Sequence, residues 1–156
     1  FRQMFGEAEM IDIGGVLKAF NQFNVRYCVI GGLAVYHHGY HRVTDDMDFI
    51  IADEEENRSR VLDALKSLEI NPGATPIGRH LYKDFLVDIS TFFKGVGWRR
   101  AIESAEDGAI DGVPCKIVSK EHLIYNKKAV GRLQDLADVE RLEGRSQDYI
   151  PSEGDK

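Results

Sequence analysis

Residues 31–51, GGLAVYHHGYHRVTDDMDFII, carry a glycine pair at one end and two closely spaced aspartates before an apolar run at the other. The preceding run VRYCVI is β-branched and aromatic, which predicts a buried strand that stops in a turn at Gly31 and Gly32. LAVYHHG suits a short helix closed by Gly39, and MDFIIA predicts a second strand. The stretch therefore predicts a strand, a short helix and a strand in succession.

Two aspartates stand at the entrance of the second predicted strand. Residues i and i+2 of a strand share a face and lie about 6.6 Å apart along the backbone. Asp46 and Asp48 therefore converge, while Met47 and Phe49 face the other side. Asp88 lies inside a later apolar run, FLVDIS, where a charge is unfavourable unless it is paired. If the two strands are neighbours, three carboxylates gather at one end of the sheet.

Such crowding needs a compensating charge. Two unit charges about 4 Å apart repel by roughly 4 kcal/mol at an effective dielectric constant of about 20. Either the carboxyl pKa values rise or a divalent cation neutralises the charge, and oxygen-only ligands favour Mg²⁺ or Mn²⁺ over zinc. Gly31 and Gly32 would let backbone N–H groups approach a phosphate, with the dipole of the following helix favouring the anion. A phosphate cradle beside a metal clamp suits phosphoryl or nucleotidyl transfer.

Each of these features also has a simpler interpretation when it is taken alone. A glycine pair after a strand is commonly a plain turn, and Asp-x-Asp at a strand entrance is often an Asx turn. Asp88 could form a structural ion pair with Arg79, Lys83 or Lys94. The occurrence of all three features in one chain favours the functional interpretation.

The rest of the pattern predicts a mixed architecture. Residues 79–93 predict one long strand or a hairpin, and GAIDGVPCKIV predicts a hairpin around Asp111 and Gly112. Ser119 is a helix cap. Helices are predicted in MIDIGGVLKAFNQF, DEEENRSRVLDALKSLEI, GWRRAIESAED, KEHLIYNKKAV and RLQDLADVERLEG. The fold class is therefore α/β (α+β), a mixed β-sheet flanked by helices with helices at the C-terminal end. We expect a single domain over residues 1–144 and a polar, flexible tail over 145–156.

Composition narrows the function classes. The 156 residues carry a formal net charge of −6, and 43% are hydrophobic. Proteins that track long nucleic acids carry positive charge or a basic stripe, so extended nonspecific DNA binding is not expected. No apolar run reaches the roughly 20 residues that span a bilayer, so no membrane partner is expected. Two widely spaced cysteines predict reduced thiols and a cytoplasmic location.

Three short motifs occur in a characteristic order: Ile30-Gly31-Gly32, then Asp46-Met47-Asp48, then Val87-Asp88-Ile89. This order resembles the DNA polymerase β-type nucleotidyltransferase superfamily, whose motifs are an hGG or hGS turn, D-x-D, and a later h-D-h strand. The glycine-to-aspartate stretch and the closing HLIYNKKAVGRLQDLADVERL look like small prokaryotic minimal nucleotidyltransferases, including those of type IV and type VII toxin–antitoxin systems. The resemblance covers residues 10 to 143 and implies a nucleotidyltransferase fold.

The resemblance also implies an activity and roles for individual residues. An NTP would be the substrate, and two Mg²⁺ or Mn²⁺ ions the cofactors. Asp46 and Asp48 would ligate both ions, and Asp88 would ligate the catalytic ion and help to deprotonate the acceptor hydroxyl. Gly31 and Gly32 would hold the triphosphate.

Three further residues are implied as phosphate contacts by their positions: Arg42, Thr44 and Lys127. The sequence departs from many active members in its turn, where Gly32 replaces a serine whose hydroxyl touches phosphate. Gly32 leaves only backbone donors there, although Gly-Gly also occurs among the relatives.

The remaining polar clusters are predicted to be structural. His37, His38 and His41 suggest zinc, but without a fourth ligand they are more typical of a helix surface. Asp135 and Asp138 lie on one helical face, which favours an ion-pair cluster with Arg132 or Arg141 rather than a role in the site.

Lys127 and Lys128 could alternatively be a solvated face, and Trp98 is predicted to be a core residue.

The leading hypothesis is an enzyme that moves an NMP from an NTP to a hydroxyl acceptor and releases pyrophosphate. The acceptor would be a protein side chain, a tRNA end or a small molecule. The alternatives are a catalytically inactive nucleotide-binding or antitoxin-like module, and a purely structural domain. A chain of 156 residues leaves little room for an acceptor domain, so a homodimer or a partner protein is expected to complete the site.

Overall fold

A computed structural model of the chain describes residues 12–40, 44 and 46–144. Within these residues it has six helices and six strands. In chain order they are α1 (Ile13–Gln22), β1 (Tyr27–Ile30), α2 (Gly31–His37), β2 (Asp46–Ile51), α3 (Glu55–Ser67), β3 (Gly78–Tyr82), β4 (Phe85–Ser90), α4 (Trp98–Glu103), β5 (Glu106–Ile110), β6 (Val113–Ile117), α5 (Lys120–Val130) and α6 (Leu133–Leu142).

The strands form one mixed sheet in the order β3-β4-β2-β1-β6-β5. β2 pairs antiparallel with β1 and parallel with β4, and β1 pairs parallel with β6. The hairpins β3–β4 and β5–β6 supply the two outer pairs. The predicted class, a mixed sheet with helices and a helical C-terminal end, is confirmed. The adjacency of β2 and β4 is the one on which the predicted carboxylate cluster depends.

The core lies around the central strands β1 and β2. The rings of Phe20, Tyr27 and Phe49 pack together with centroids 4.7 to 5.7 Å apart. Met47 and Phe49 are buried, while Asp46 and Asp48, on the other face of β2, are only partly buried. Burying side chains of this size contributes about 1.5–3 kcal/mol each, so one face of β2 is firmly held in the core. The opposite face at the strand entrance is left to polar residues.

Several elements lie at the positions predicted from the sequence. Asp111 and Gly112 both have positive φ, 52° and 78°, as a two-residue hairpin turn requires. The Ser119 hydroxyl accepts a hydrogen bond from the backbone N–H of His122, which makes it the cap of α5. Gly131 ends α5 in the left-handed conformation.

Other boundaries differ from the prediction. α2 begins at Gly31 itself rather than after the glycine pair. Of the two forms predicted for residues 79–93, the structure has the hairpin, in which β3 and β4 are joined by a turn where Lys83 has a φ of 55°. Trp98 is half-buried at the edge of the core, with the Arg99 guanidinium 4.6 Å from its ring centroid. The predicted tail, 145–156, lies outside the described residues.

No helix in the described ranges is both long enough and apolar enough to span a bilayer.

Candidate active site

The three predicted aspartates lie in one pocket. The parallel pairing of β2 with β4 puts Asp48 directly opposite Asp88. Asp46 projects from the same face of β2 as Asp48, since Met47 between them is buried on the other face. All three line a pocket of about 450 Å³, together with Gly31 and other residues of β1, β3, α5 and α6. The strand geometry expected from the sequence is thus present.

Electrostatic crowding is strongest at Asp48. Burial, followed by the charges of Asp46 and Asp88, raises the pKa of Asp48 from 3.8 to about 7. Arg79 and Lys127 oppose this rise without cancelling it. The carboxylate is therefore unfavourably charged near neutral pH, which is the condition that a divalent cation would relieve.

The donor chemistry fits such an ion. Three carboxylates offer hard oxygen ligands of the kind that Mg²⁺ and Mn²⁺ prefer. Asp46, Asp48 and Asp88 do not have their carboxylate oxygens within 4.8 Å of one another. Among the described residues, the three side chains that meet this distance are His37, His38 and Glu106, which lie elsewhere. The pocket carboxylates would therefore rotate toward one another to share an ion.

Position 31 must be a glycine because the Asp48 side chain lies directly against it. Its φ is +68°, and a Cβ added there would lie 2.2 Å from Asp48 Oδ2. Any other residue would both strain the backbone and displace the carboxylate. The bend after β1 and the position of Asp48 thus depend on the same glycine.

Gly32 faces a threonine. A Cβ added at Gly32 would lie 2.9 Å from Thr44 Cβ and 3.0 Å from Thr44 Oγ1. The Thr44 hydroxyl donates to the backbone oxygen and to Oδ1 of Asp46, at 3.2 and 3.1 Å. A threonine hydroxyl thus lies close to where a serine side chain at position 32 would begin. Arg42, the neighbouring predicted phosphate contact, lies outside the described residues.

The helical wall of the pocket is a buried ion-pair cluster. Lys127 Nζ lies 2.8 Å from Asp138 Oδ2 and 3.6 Å from Asp135 Oδ1, and the Lys127 side chain is only 7% exposed. Arg132 Nε lies 2.6 Å from Asp135 Oδ2. Burial acts to raise the pKa of Asp135, but the hydrogen bonds and charge of Arg132, together with the charge of Lys127, outweigh it and hold the pKa below its usual range.

The structure decides between interpretations of this wall that the sequence left open. Lys127 is not part of a solvated face, because its side chain is enclosed against the carboxylates of α6. The predicted ion-pair cluster of Asp135 and Asp138 is confirmed, and both aspartates also line the pocket. Of the two arginines offered for this cluster, Arg132 pairs with Asp135, while the Arg141 guanidinium lies 4.2 Å from the ring centroid of Tyr40.

Arg79 is the partner that the structure selects for Asp88. It lies opposite Asp88 in the β3–β4 register, and its Nε is 3.5 Å from Asp88 Oδ2. Lys83, another predicted partner, instead bonds Asp12 at 3.0 Å. Sequence reasoning left this choice open because it depends on the position of the hairpin turn. Arg79 also lines the pocket, as the one strand-borne cation among the described lining residues.

Comparison with known proteins identifies the fold. No family model matches the chain, and no curated protein matches it. Solved structures do match. The crystal structure of ANT(2")-Ia in complex with adenylyl-2"-tobramycin has a TM-score of 0.55 at 20% identity, over 83% of this chain and 84% of that one.

Two further structures are similar. The lincosamide antibiotic adenylyltransferase LnuA, lincomycin-bound, has a TM-score of 0.57 at 16% identity and covers 84% of this chain and 94% of its own. An antigenic nucleotidyltransferase-like protein from Paracoccidioides brasiliensis has a TM-score of 0.54 at 15% identity, over 81% and 71% of the two chains. The chain therefore adopts the nucleotidyltransferase fold.

Proposed function

We propose that the chain is a metal-dependent nucleotidyltransferase, which moves an NMP from an NTP to a hydroxyl acceptor and releases pyrophosphate. One observation carries the proposal: Asp46, Asp48 and Asp88 converge in a single pocket beside the Gly31 bend, and the pKa of Asp48 is raised to about 7 by burial and by the other two. Carboxylates crowded this way destabilise the fold unless a cation neutralises them, so their presence favours a function that requires them.

The three carboxylates would have different roles. Asp46 and Asp48 would hold both Mg²⁺ or Mn²⁺ ions, and Asp88 would hold the ion nearest the acceptor. When bound, the metal supplies charge neutralisation for the triphosphate and for the attacking and leaving oxygens. Asp88 would also accept the proton of the acceptor hydroxyl at a carboxylate oxygen. Arg79 Nε, 3.5 Å away, orients that carboxylate.

The triphosphate would bind between the glycine bend and α5. The backbone N–H groups of Gly31 and Gly32 supply donors, and because α2 has only seven residues these local donors would matter more than a helix dipole. The Thr44 hydroxyl would replace the serine hydroxyl that Gly32 lacks. Lys127, and Arg42 from outside the described residues, would contribute positive charge.

A catalytically inactive nucleotide-binding or antitoxin-like module is the second candidate function. The observation that favours it is Gly32, since no side chain at that position can touch phosphate. The toxin–antitoxin branch and a homodimer or partner protein that completes the site remain predictions from the sequence.

Labelled nucleotides distinguish the two functions. The purified chain is incubated with Mg²⁺, a lysate or acceptor panel, and NTP labelled at either the α- or the γ-phosphate. An enzyme transfers the α label to an acceptor and leaves the γ label in pyrophosphate, and Asp48→Asn abolishes the transfer. Because two fold neighbours are solved with an antibiotic or its adenylylated product, small-molecule hydroxyls are the first acceptors to test.

The control is Asp63→Asn, which changes an exposed aspartate on α3. If no acceptor takes the α label while Mg²⁺ and NTP still raise the melting temperature, the inactive module is correct, since a ligand stabilises the state that binds it. If neither label transfer nor a thermal shift occurs, the domain is purely structural.

A further inference from the structure

A second cluster of potential ligands lies away from the pocket, where the end of α2 meets the start of β5. His37 and His38 stand at the C-terminal end of α2, and Glu106 is the first residue of β5. Glu106 Oε1 lies 2.9 Å from His37 Nε2 and 3.7 Å from His38 Nδ1, and one donor atom from each residue lies within 4.8 Å of the others. None of the three lines the pocket described above.

His38 is held in the orientation of a metal ligand. Its Nε2 lies 2.8 Å from the backbone oxygen of Val118, so the ring donates from Nε2, and Nδ1, which faces Glu106, is the nitrogen that a metal ion would bind. Ligating histidines are commonly fixed this way, with the second nitrogen bonded to a carbonyl or carboxylate. The His38 side chain is only 8% exposed. The expectation of a plain helix surface is therefore wrong for His38, while His41 lies outside the described residues.

His37 is positioned by a glycine on the neighbouring strand. A Cβ added at Gly108 would lie 2.8 Å from His37 Cε1, so a larger residue at this position would displace the imidazole from its place against β5. The His37 and His38 rings meet edge to face, with centroids 4.9 Å apart.

We propose that His37, His38 and Glu106 bind one Zn²⁺ ion that links α2 to β5. Ligands about 2.0–2.2 Å from a tetrahedral zinc lie roughly 3.3 Å apart, close to the 2.9 and 3.7 Å separations here. Two imidazole nitrogens and one carboxylate oxygen leave a fourth position for water, on the side of Glu106, whose side chain is 48% exposed.

Such an ion would restrain α2 from the end opposite Gly31. β5 is an edge strand, held on one side by β6. A bridge from β5 to α2 would therefore tether both a sheet edge and the helix whose first turn borders the pocket. This inference does not depend on the proposed transfer activity.

Zinc affinity is measured by competition with a chromophoric chelator, using the full chain with Asp48→Asn so that the pocket carboxylates do not add a second site. One Zn²⁺ per chain is expected, with His37→Gln and Glu106→Gln each weakening binding by at least roughly 100-fold. His122→Gln is the matched control, because that imidazole bonds Ser104 at 2.8 Å and lies outside the cluster. It should leave the affinity unchanged.

Thermal unfolding gives a second measurement. Zinc at about 100 times its dissociation constant should raise the melting temperature by roughly 5–10 °C, and Glu106→Gln should remove the rise. Glu106→Gln changes an exposed side chain, and far-UV circular dichroism verifies that the variant folds. Failure to bind zinc, or equal affinity in both cluster variants and the control, would show that the three side chains form only an ion pair.

Discussion

Replacing Asp48 with asparagine should stabilise the cation-free protein at alkaline pH. In the folded state the carboxyl of Asp48 has a pKa of about 7, against 3.8 for an unperturbed aspartate. Between pH 3.8 and pH 7 the folded state binds more protons than the unfolded state, so the free energy of unfolding falls as the pH rises. Above pH 7 the destabilisation by the Asp48 charge is complete. At 1.36 kcal/mol per pKa unit, the cost is about 4 kcal/mol at pH 8 and below about 2 kcal/mol at pH 5.

Urea unfolding followed by the fluorescence of Trp98, the single tryptophan, measures this difference. Asp48→Asn should be more stable than the parent by up to about 4 kcal/mol at pH 8, with a smaller gain at pH 5. Mg²⁺ should stabilise the parent at pH 8 and narrow the difference, because a cation removes the same repulsion. The exposed Asp63→Asn variant should show neither effect.

Two results would refute this reasoning. If Asp48→Asn unfolds more easily than the parent at pH 8 without Mg²⁺, the Asp48 carboxylate stabilises the fold by itself, and no cation is required to neutralise it. If the variant is more stable by the same amount at both pH values, the gain does not come from charge. Loss of nucleotidyl transfer in the same variant would then have to be explained by geometry alone.

Three further predictions use the same assay. Gly31→Ala should lower the free energy of unfolding by more than about 2 kcal/mol, because its Cβ would lie 2.2 Å from Asp48 Oδ2. Gly73→Ala, which has a similar φ but nothing within 4 Å of the added Cβ, should lower it by about 1 kcal/mol. Lys127→Met should lower the free energy of unfolding by about 3–5 kcal/mol, because it removes the buried cation that lies 2.8 Å from Asp138 Oδ2. Arg79→Gln should raise the pKa of Asp48 further, which moves the pH midpoint of its stability curve upward.

The sheet side of the site could be predicted from the sequence because its signals are local. The i, i+2 spacing of Asp46 and Asp48 sets their shared face. The apolar run around Asp88 marks a strand, and only the adjacency of β2 and β4 had to be assumed. The glycine pair marked the bend at the end of β1, although not the contact between Gly31 and Asp48, which depends on tertiary packing.

The helical side could not be predicted because its contacts span a turn of the chain. Asp138 meets Lys127 only when α6 folds back at Gly131, and no periodicity in either helix encodes that angle. The same holds for the link between α2 and β5: His38 and Glu106 are far apart in sequence and are brought together by the placement of an edge strand. Ser119 marked the start of α5, but the angle between α5 and α6 follows from packing.

The two sides of the pocket differ in how their charges are balanced. On the helical side, Lys127 and Arg132 are buried against or paired with carboxylates at hydrogen-bonding distance, and the pKa of Asp135 falls accordingly. On the strand side, the described residues provide Arg79 at 3.5 Å from Asp88, and the pKa of Asp48 still rises. Uncompensated carboxylates on the strand side destabilise the fold unless a bound ligand neutralises their charge. The excess negative charge therefore marks where a cation would bind, and the balanced wall supplies a lysine held in place beside it.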